Sequence, residues 1–97
     1  MVLMDTIKGN GFMTKKDKLI KAMHNNPKDI PFHKIESLLL YYGCQVRQPR
    51  GGSSHYIFSH QALDYCLTIP KNRPVKAHYV KDALKMIEDI KDALHED

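Results

Sequence analysis

The stretch at residues 47–58 reads Arg-Gln-Pro-Arg-Gly-Gly-Ser-Ser-His-Tyr-Ile-Phe. Two arginines lead into a glycine-rich segment that is typical of a tight turn, and a β-prone aromatic run follows it. The pattern predicts a β-hairpin that presents the imidazole of His55 beside cationic side chains. Such a combination suits a partner that carries phosphate groups.

The segments on either side of this hairpin extend it into a sheet. Alternation of apolar and polar residues predicts strands at 44–48, 54–60 and 64–69, with a turn at 49–53 and a short loop at 61–63. Because both connections are short, we expect an antiparallel meander of three strands.

Three helices are expected outside the sheet. Thr14, followed three residues later by an aspartate, resembles a capping box and opens a short helix that ends at Asn25-Asn26-Pro27; we expect this helix to pack weakly. A second helix is expected over about 32–42, ended by Gly43, and a third over about 77–94. Their apolar stripes are Leu19, Ile20 and Met23; Phe32, Ile35, Leu38, Leu39 and Tyr42; and Val80, Leu84, Ile87, Ile90 and Leu94 with Ala83 beside them.

The order helix, helix, strand, strand, strand, helix predicts an α+β fold, a two-layer sandwich of a three-stranded antiparallel sheet packed on helices. A chain of 97 residues favours one domain, which we place at 14–97. Residues 1–13 are polar and glycine-containing, so we interpret them as a mobile leader or a start-site extension, with Met4 or Met13 as alternative starts.

The totals exclude several classes of protein. No apolar run approaches the roughly 20 residues of a membrane helix, and the N-terminus lacks the apolar block of a secretory signal. Two cysteines, Cys44 and Cys66, are too few for a disulfide framework, so we expect small buried hydrophobes or free thiols. A reduced, cytoplasmic compartment is the expected location.

The net charge of +4 is unevenly distributed along the chain. Over residues 45–81 six cations face the single acid Asp64, whereas residues 82–97 are acidic. A cationic block around a turn suggests a polyanion such as nucleic acid, and a solvated basic face is the alternative. The cations of the block are Arg47, Arg50, Lys71, Arg73, Lys76 and Lys81.

Four motifs occur in order: Gly-Gly-Ser-Ser-His-Tyr-Ile-Phe at 51–58, Leu-Thr-Ile-Pro at 67–70, a basic segment at 71–76, and a helix opening with His-Tyr-Val-Lys at 78–81. Together they resemble the HicA family, the toxin halves of HicAB toxin–antitoxin modules. The resemblance covers roughly residues 31–89, with a helix added in front of it.

The resemblance implies an α-β-β-β-α fold like that of double-stranded-RNA-binding domains. It also implies an endoribonuclease that cleaves mRNA and is silenced by a HicB-like antitoxin. From the residues themselves we expect no membrane, metal or small-molecule cofactor. The family's catalytic histidine follows Gly-Ser at the start of the second strand and maps onto His55. This chain has Gly-Ser-Ser-His where many members have Gly-Ser-His.

The chemistry of RNA cleavage fits these residue types. RNA carries its own nucleophile, the 2′-hydroxyl, and an imidazole, whose ordinary pKa is about 6.5, exchanges protons near neutral pH. Cations and glycine-turn amides can stabilise charge on phosphoryl oxygens, and an aromatic ring can stack on an unpaired base. The candidate RNA-binding residues are Arg47, Arg50, Gly52, Ser53, Ser54, Lys71, Arg73, Lys76, Tyr79 and Lys81.

Alternatives remain open for these residues. His55 can be a hairpin histidine that only makes hydrogen bonds, the two serines can be turn formers, and Tyr79 can pack against the sheet. His55 and His60 are five apart on one strand and therefore point to opposite faces, which argues against a shared metal. At the level of the whole chain, a non-catalytic RNA-binding module and a protein-interaction module are the rival functions.

Overall fold

The computed structural model describes residues 14–48, 51, 54–72 and 74–94. The described helices are α1 (Lys15–Asn25), α2 (Phe32–Tyr41) and α3 (Ala77–Ala93), and the described strands are β1 (Gln45–Arg47), β2 (His55–Ser59) and β3 (Leu67–Pro70). The chain is therefore α+β, with its elements in the predicted order. The expected leader at 1–13, most of the turn at 49–53, Arg73 and the last three residues lie outside the described residues.

The three strands form one antiparallel sheet in the order β1-β2-β3, which confirms the predicted meander. The register places Arg47 opposite Ile57 and places Ile69 opposite Tyr56. β3 begins at residue 67, so the prediction that this strand begins at residue 64 was wrong. The Leu63 N–H donates to the His60 carbonyl at 3.0 Å, and this turn delays the start of the ladder.

Helix α1 begins with the predicted capping box. The Thr14 hydroxyl accepts the Asp17 N–H at 3.1 Å, and the Asp17 carboxylate accepts the Thr14 N–H at 3.2 Å. The expectation that α1 packs weakly was wrong, because the Met23 side chain is 0% exposed and belongs to the main core. A methionine is long and adaptable, so one such residue can fix a short helix against α3.

Helix α2 ends at a glycine that only a few residue types can replace. Gly43 has a φ of +93°, its N–H donates to Leu40 at 3.0 Å, and the Cys44 N–H donates to Leu39 at 3.0 Å. These two bonds form a Schellman motif, which requires the left-handed conformation at Gly43. A Cβ there would lie 3.1 Å from the His60 Nε2, so the chain also needs glycine for close approach.

One core joins the helices and the sheet. Helix α3 packs against α1, α2 and β3, so its buried face is wider than the predicted stripe. It includes Met86, which is 0% exposed and which the periodicity did not indicate, while Leu94 is 50% exposed and lies outside the core. None of the described helices is long and apolar enough to span a membrane.

A polar contact fastens the segment before β3 to the last helix. The Tyr65 hydroxyl donates to Asp89 at 2.5 Å, and the Lys85 ammonium donates to the same carboxylate at 3.0 Å. Burial, and then the bond to Asp89, raise the pKa of Tyr65 to about 12. The hydrogen bonds from Tyr65 and Lys85 lower the pKa of Asp89.

Replacing Met23 by alanine tests whether α1 is an integral part of the fold. We expect Met23→Ala to lower the free energy of unfolding by about 2–5 kcal/mol, because it opens a cavity in the core. Leu40→Ala, at a side chain that is 44% exposed, should change it by about 0.5 kcal/mol or less. Urea denaturation of both variants measures this, and equal effects would mean that α1 is dispensable.

The Asp89 contact predicts a dependence of stability on pH. Because folding lowers the pKa of Asp89, its contribution is complete above the ordinary value of 3.8 and is lost as the pH falls through the lower folded value. Asp89→Asn should therefore be less stable than the wild type near neutral pH, and the difference should shrink at pH values below 3.8. Denaturation across this range, with the exposed Asp92→Asn as control, measures the difference. A difference that does not change with pH would contradict the assignment.

Candidate nucleic-acid interface

His55 lies on the outer face of the sheet. Alternation along β2 directs Tyr56 and Phe58 inward, where the Phe32 ring of α2 packs on them at centroid distances of 4.9 and 6.3 Å. His55, the first residue of β2, consequently faces outward and is exposed. The imidazole is therefore accessible to a large ligand, as a catalytic or binding role requires.

Arg47 shares this outer face with His55. Arg47 lies directly opposite Ile57, which makes it the diagonal neighbour of His55, at a Cα separation of about 7–8 Å. Both side chains are exposed. A phosphate at His55 is thus within reach of the Arg47 guanidinium, so the structure brings these two predicted residues together.

Ser54 and Lys71 lie at the same end of the sheet as His55. The Ser54 carbonyl accepts the Lys71 N–H at 2.7 Å, one residue beyond the pair of His55 with Pro70. The Lys71 ammonium, however, lies 5.8 Å from the centroid of the Tyr56 ring, which faces inward. The side chains of His55 and Lys71 therefore occupy opposite faces of one end of the sheet.

The remaining predicted residues that the structure describes lie in α3 or directly before it. Lys76 is exposed and occupies the N-cap position of α3 without a side-chain cap. The half-buried Tyr79 packs against the core, which agrees with the packing interpretation of that residue. Lys81 lines a groove of about 300 Å³ between α1 and α3, together with Met23. Four other candidate residues lie outside the described parts of the chain: Arg50, Gly52, Ser53 and Arg73.

His60 has a structural role that contrasts with the exposure of His55. It is 8% exposed, and its Nδ1 accepts the Ala62 N–H at 3.0 Å, so that nitrogen carries no proton. The imidazole supports the turn after β2 and lies close to Gly43, where an added Cβ would be 3.1 Å from its Nε2. The prediction that the two histidines point to opposite faces is confirmed.

The cysteines are free, in agreement with the sequence-based expectation. Cys44 is buried, and burial raises the pKa of its thiol to about 11, whereas Cys66 is exposed near Arg47. Across the described ranges, no three histidine, cysteine or acidic side chains are grouped closely enough to hold a metal ion.

The structure has a cleft at the β2–β3 end of the sheet that was not predicted from the sequence. It has a volume of about 680 Å³ and is built by the loops that precede α2 and follow β3. An isolated bridge joins the loops, with the Val75 N–H donating to Ile30 at 3.1 Å. No periodic signal marks such a site, because its residues come from two separate loops and from the first turn of α2. The lining residues are Asp29, Pro31, Phe32, His33, Lys71, Asn72 and Pro74.

Comparisons with protein-family models, with curated proteins and with solved structures found no match for this chain. Its functional interpretation therefore depends on the geometry of the end of the sheet that carries His55, and on the resemblance of its motifs.

The two strand histidines should differ in their effect on stability. His60→Ala removes a buried side chain and leaves the Ala62 N–H without its acceptor, so we expect a loss of about 1–3 kcal/mol. His55→Ala alters an exposed position and should cost about 1 kcal/mol or less. Urea denaturation followed by circular dichroism measures both. Equal losses would mean that His55 is also a structural residue.

Proposed function

We propose that this chain is a HicA-like toxin, a cytoplasmic endoribonuclease that cleaves mRNA without a metal ion and is silenced by a HicB-like antitoxin. The observation that carries the proposal is the position of His55. It is exposed at the first residue of β2, inside the Gly-Ser-Ser-His motif, and shares its face with Arg47.

The reaction that fits this position is transfer of the phosphoryl group within RNA. The 2′-oxygen forms a bond to phosphorus as the bond to the 5′-oxygen of the next nucleotide breaks, leaving a 2′,3′-cyclic phosphate and a 5′-hydroxyl. One proton leaves the 2′-oxygen and one is added to the 5′-oxygen. The imidazole of His55 performs one of these transfers, as general base or general acid, and water completes the other.

In this proposal the cations at the same end of the sheet stabilise the negative charge of the transition state. Negative charge grows on the phosphoryl oxygens in the transition state, and the Arg47 guanidinium is placed to offset it. A glycine-rich turn before β2 would add backbone N–H donors, and Gly51, its described glycine, has a φ of +87°. Arg50 and Arg73 would extend the cationic track.

The enzyme should be slow. Within the described residues, His24, His33 and His78 lie on helices and His60 is buried, so none of them shares the outer face with His55. A single positioned acid or base contributes on the order of 10²–10⁴ to the rate. A modest rate of cleavage suffices for a toxin whose target is mRNA.

The outer face also suits control by an antitoxin. His55, Arg47 and Thr68 are exposed on three adjacent strands, so a protein that covers this surface blocks RNA from the imidazole. A partner with acidic side chains would complement the basic block. The same exposed surface would serve a non-catalytic RNA-binding module, which makes no use of the imidazole.

Cleavage of cellular mRNA in EDTA tests the proposal. We expect His55→Ala to reduce the rate by a factor of about 10²–10⁴, because the proton-transfer group is removed. His24→Ala is the matched control, since it removes another exposed histidine, on α1, and should cleave as the wild type does.

Three results would overturn the proposal. Retained cleavage by a folded His55→Ala variant would remove the catalytic role of the imidazole. Loss of wild-type cleavage on adding EDTA would show that a metal ion is needed. Salt-sensitive RNA binding without any cleavage by the wild type would favour the RNA-binding module.

A further inference from the structure

The cleft at the β2–β3 end of the sheet is formed by two loops that a backbone bridge joins. Its base is the Phe32 ring, which is 5% exposed and packs on Tyr56. One wall follows α1 and the other follows β3, and the bridge between Ile30 and Val75 holds them together. The cleft is therefore a product of the fold and not of one loop alone.

The lining combines apolar surfaces with hydrogen-bonding groups of both kinds. Pro31, Pro74 and Phe32 supply apolar surface, while the exposed side chains of Asp29, Asn72 and Lys71 lie at the rim. The Asp29 carboxylate accepts hydrogen bonds, the ammonium donates them, and the amide does both. A flat, neutral ligand with donors and acceptors on its edge matches this combination.

We propose that this cleft binds an unpaired nucleobase of single-stranded RNA next to the phosphate held at His55. Proteins commonly recognise bases of single-stranded RNA by stacking them on side chains and bonding their edges. This inference rests on the proposed function, because it takes RNA to be the ligand.

The position of the cleft relative to His55 supports this assignment. Lys71 follows Pro70, the cross-strand partner of His55, so its Cα lies within about 10 Å of the His55 Cα. The hydrogen bond from Lys71 to Ser54 ties the cleft wall to the residue before the histidine. An RNA strand that passes around this end of the sheet would contact His55 on one face and the cleft on the other.

A base fits the cleft better than a phosphate does. The Asp29 carboxylate offsets the attraction of the Lys71 ammonium for a phosphate, and it accepts hydrogen bonds from the amino and imino hydrogens on the edge of a base. The Lys71 ammonium lies 6.0 Å from the centroid of the Phe32 ring and 5.8 Å from that of the Tyr56 ring, so the Lys71 side chain covers these rings and forms part of the surface on which a base would lie. Asp29 has a φ of 60°, an uncommon conformation that asparagine also tolerates, so its charge can be removed without altering the loop.

Two probes separate base binding from phosphate binding. One is a short single-stranded 2′-O-methyl RNA, which cannot be cleaved, and the other is the same strand with abasic sites in place of its bases. Fluorescence anisotropy should show that the wild type binds the first about tenfold more tightly, within the range that base stacking contributes. Asp29→Asn and Lys71→Met, which keeps the stem over the rings, should reduce this ratio to near one.

The control variant is Lys18→Met, which removes one exposed cation on α1 and should leave the ratio unchanged. Circular dichroism confirms that each variant is folded. A wild-type ratio near one would overturn the inference. So would an Asp29→Asn variant that binds both strands more tightly with the ratio retained, since that is the result of removing a repulsive charge alone.

The cleavage assay keeps the two proposals apart. Normal cleavage that depends on His55, together with a ratio near one, removes the base site and leaves the ribonuclease proposal intact. A tenfold ratio that Asp29→Asn abolishes, in a chain without His55-dependent cleavage, keeps the base site and removes the ribonuclease.

Discussion

Alternation along β2 is the constraint on which the rest of the molecule depends. The strand lies in the middle of the sheet, and Phe58, which is 0% exposed, must face the helices. With a period of two, burying Phe58 and Tyr56 inward places His55 and Ile57 outward. A slip of one residue would bury the imidazole and expose an aromatic ring, so the hydrophobic core itself holds His55 at the surface.

Residues at the β2–β3 end of the sheet contribute both to the stability of the fold and to the proposed site. The backbone N–H of Lys71 extends the β2–β3 ladder, while its ammonium lies over the rings that close the core. The bridge between Ile30 and Val75 then links the start of α2 to the approach of α3. RNA bound at this end would contact backbone that the core already orders, so little ordering cost would accompany binding.

The sequence predicted what a single element can report about itself. Three features could be predicted because each depends on neighbours within a few residues. They are the capping box at Thr14, the glycine after α2 and the apolar stripes of the helices. The burial of Met86 was not predicted, since it depends on how α3 is covered by other elements. For the same reason Met23, which the sequence placed on an apolar stripe, packs more tightly than expected. The cleft was missed for the same reason: Asp29 and Asn72 are far apart in the chain and meet only through the fold.

The two histidines of the β2 segment show why exposure, and not residue type, separates structural from functional candidates. The Nδ1 of His60 accepts the Ala62 N–H, and the side chain is buried beside Gly43. It is therefore not placed to exchange a proton with a ligand. His55 is the first residue of β2, whereas His60 follows its last residue, and His55 faces outward on the same side as Arg47. Five residues of extended chain reverse the face, and that reversal separates a buried imidazole from an exposed one.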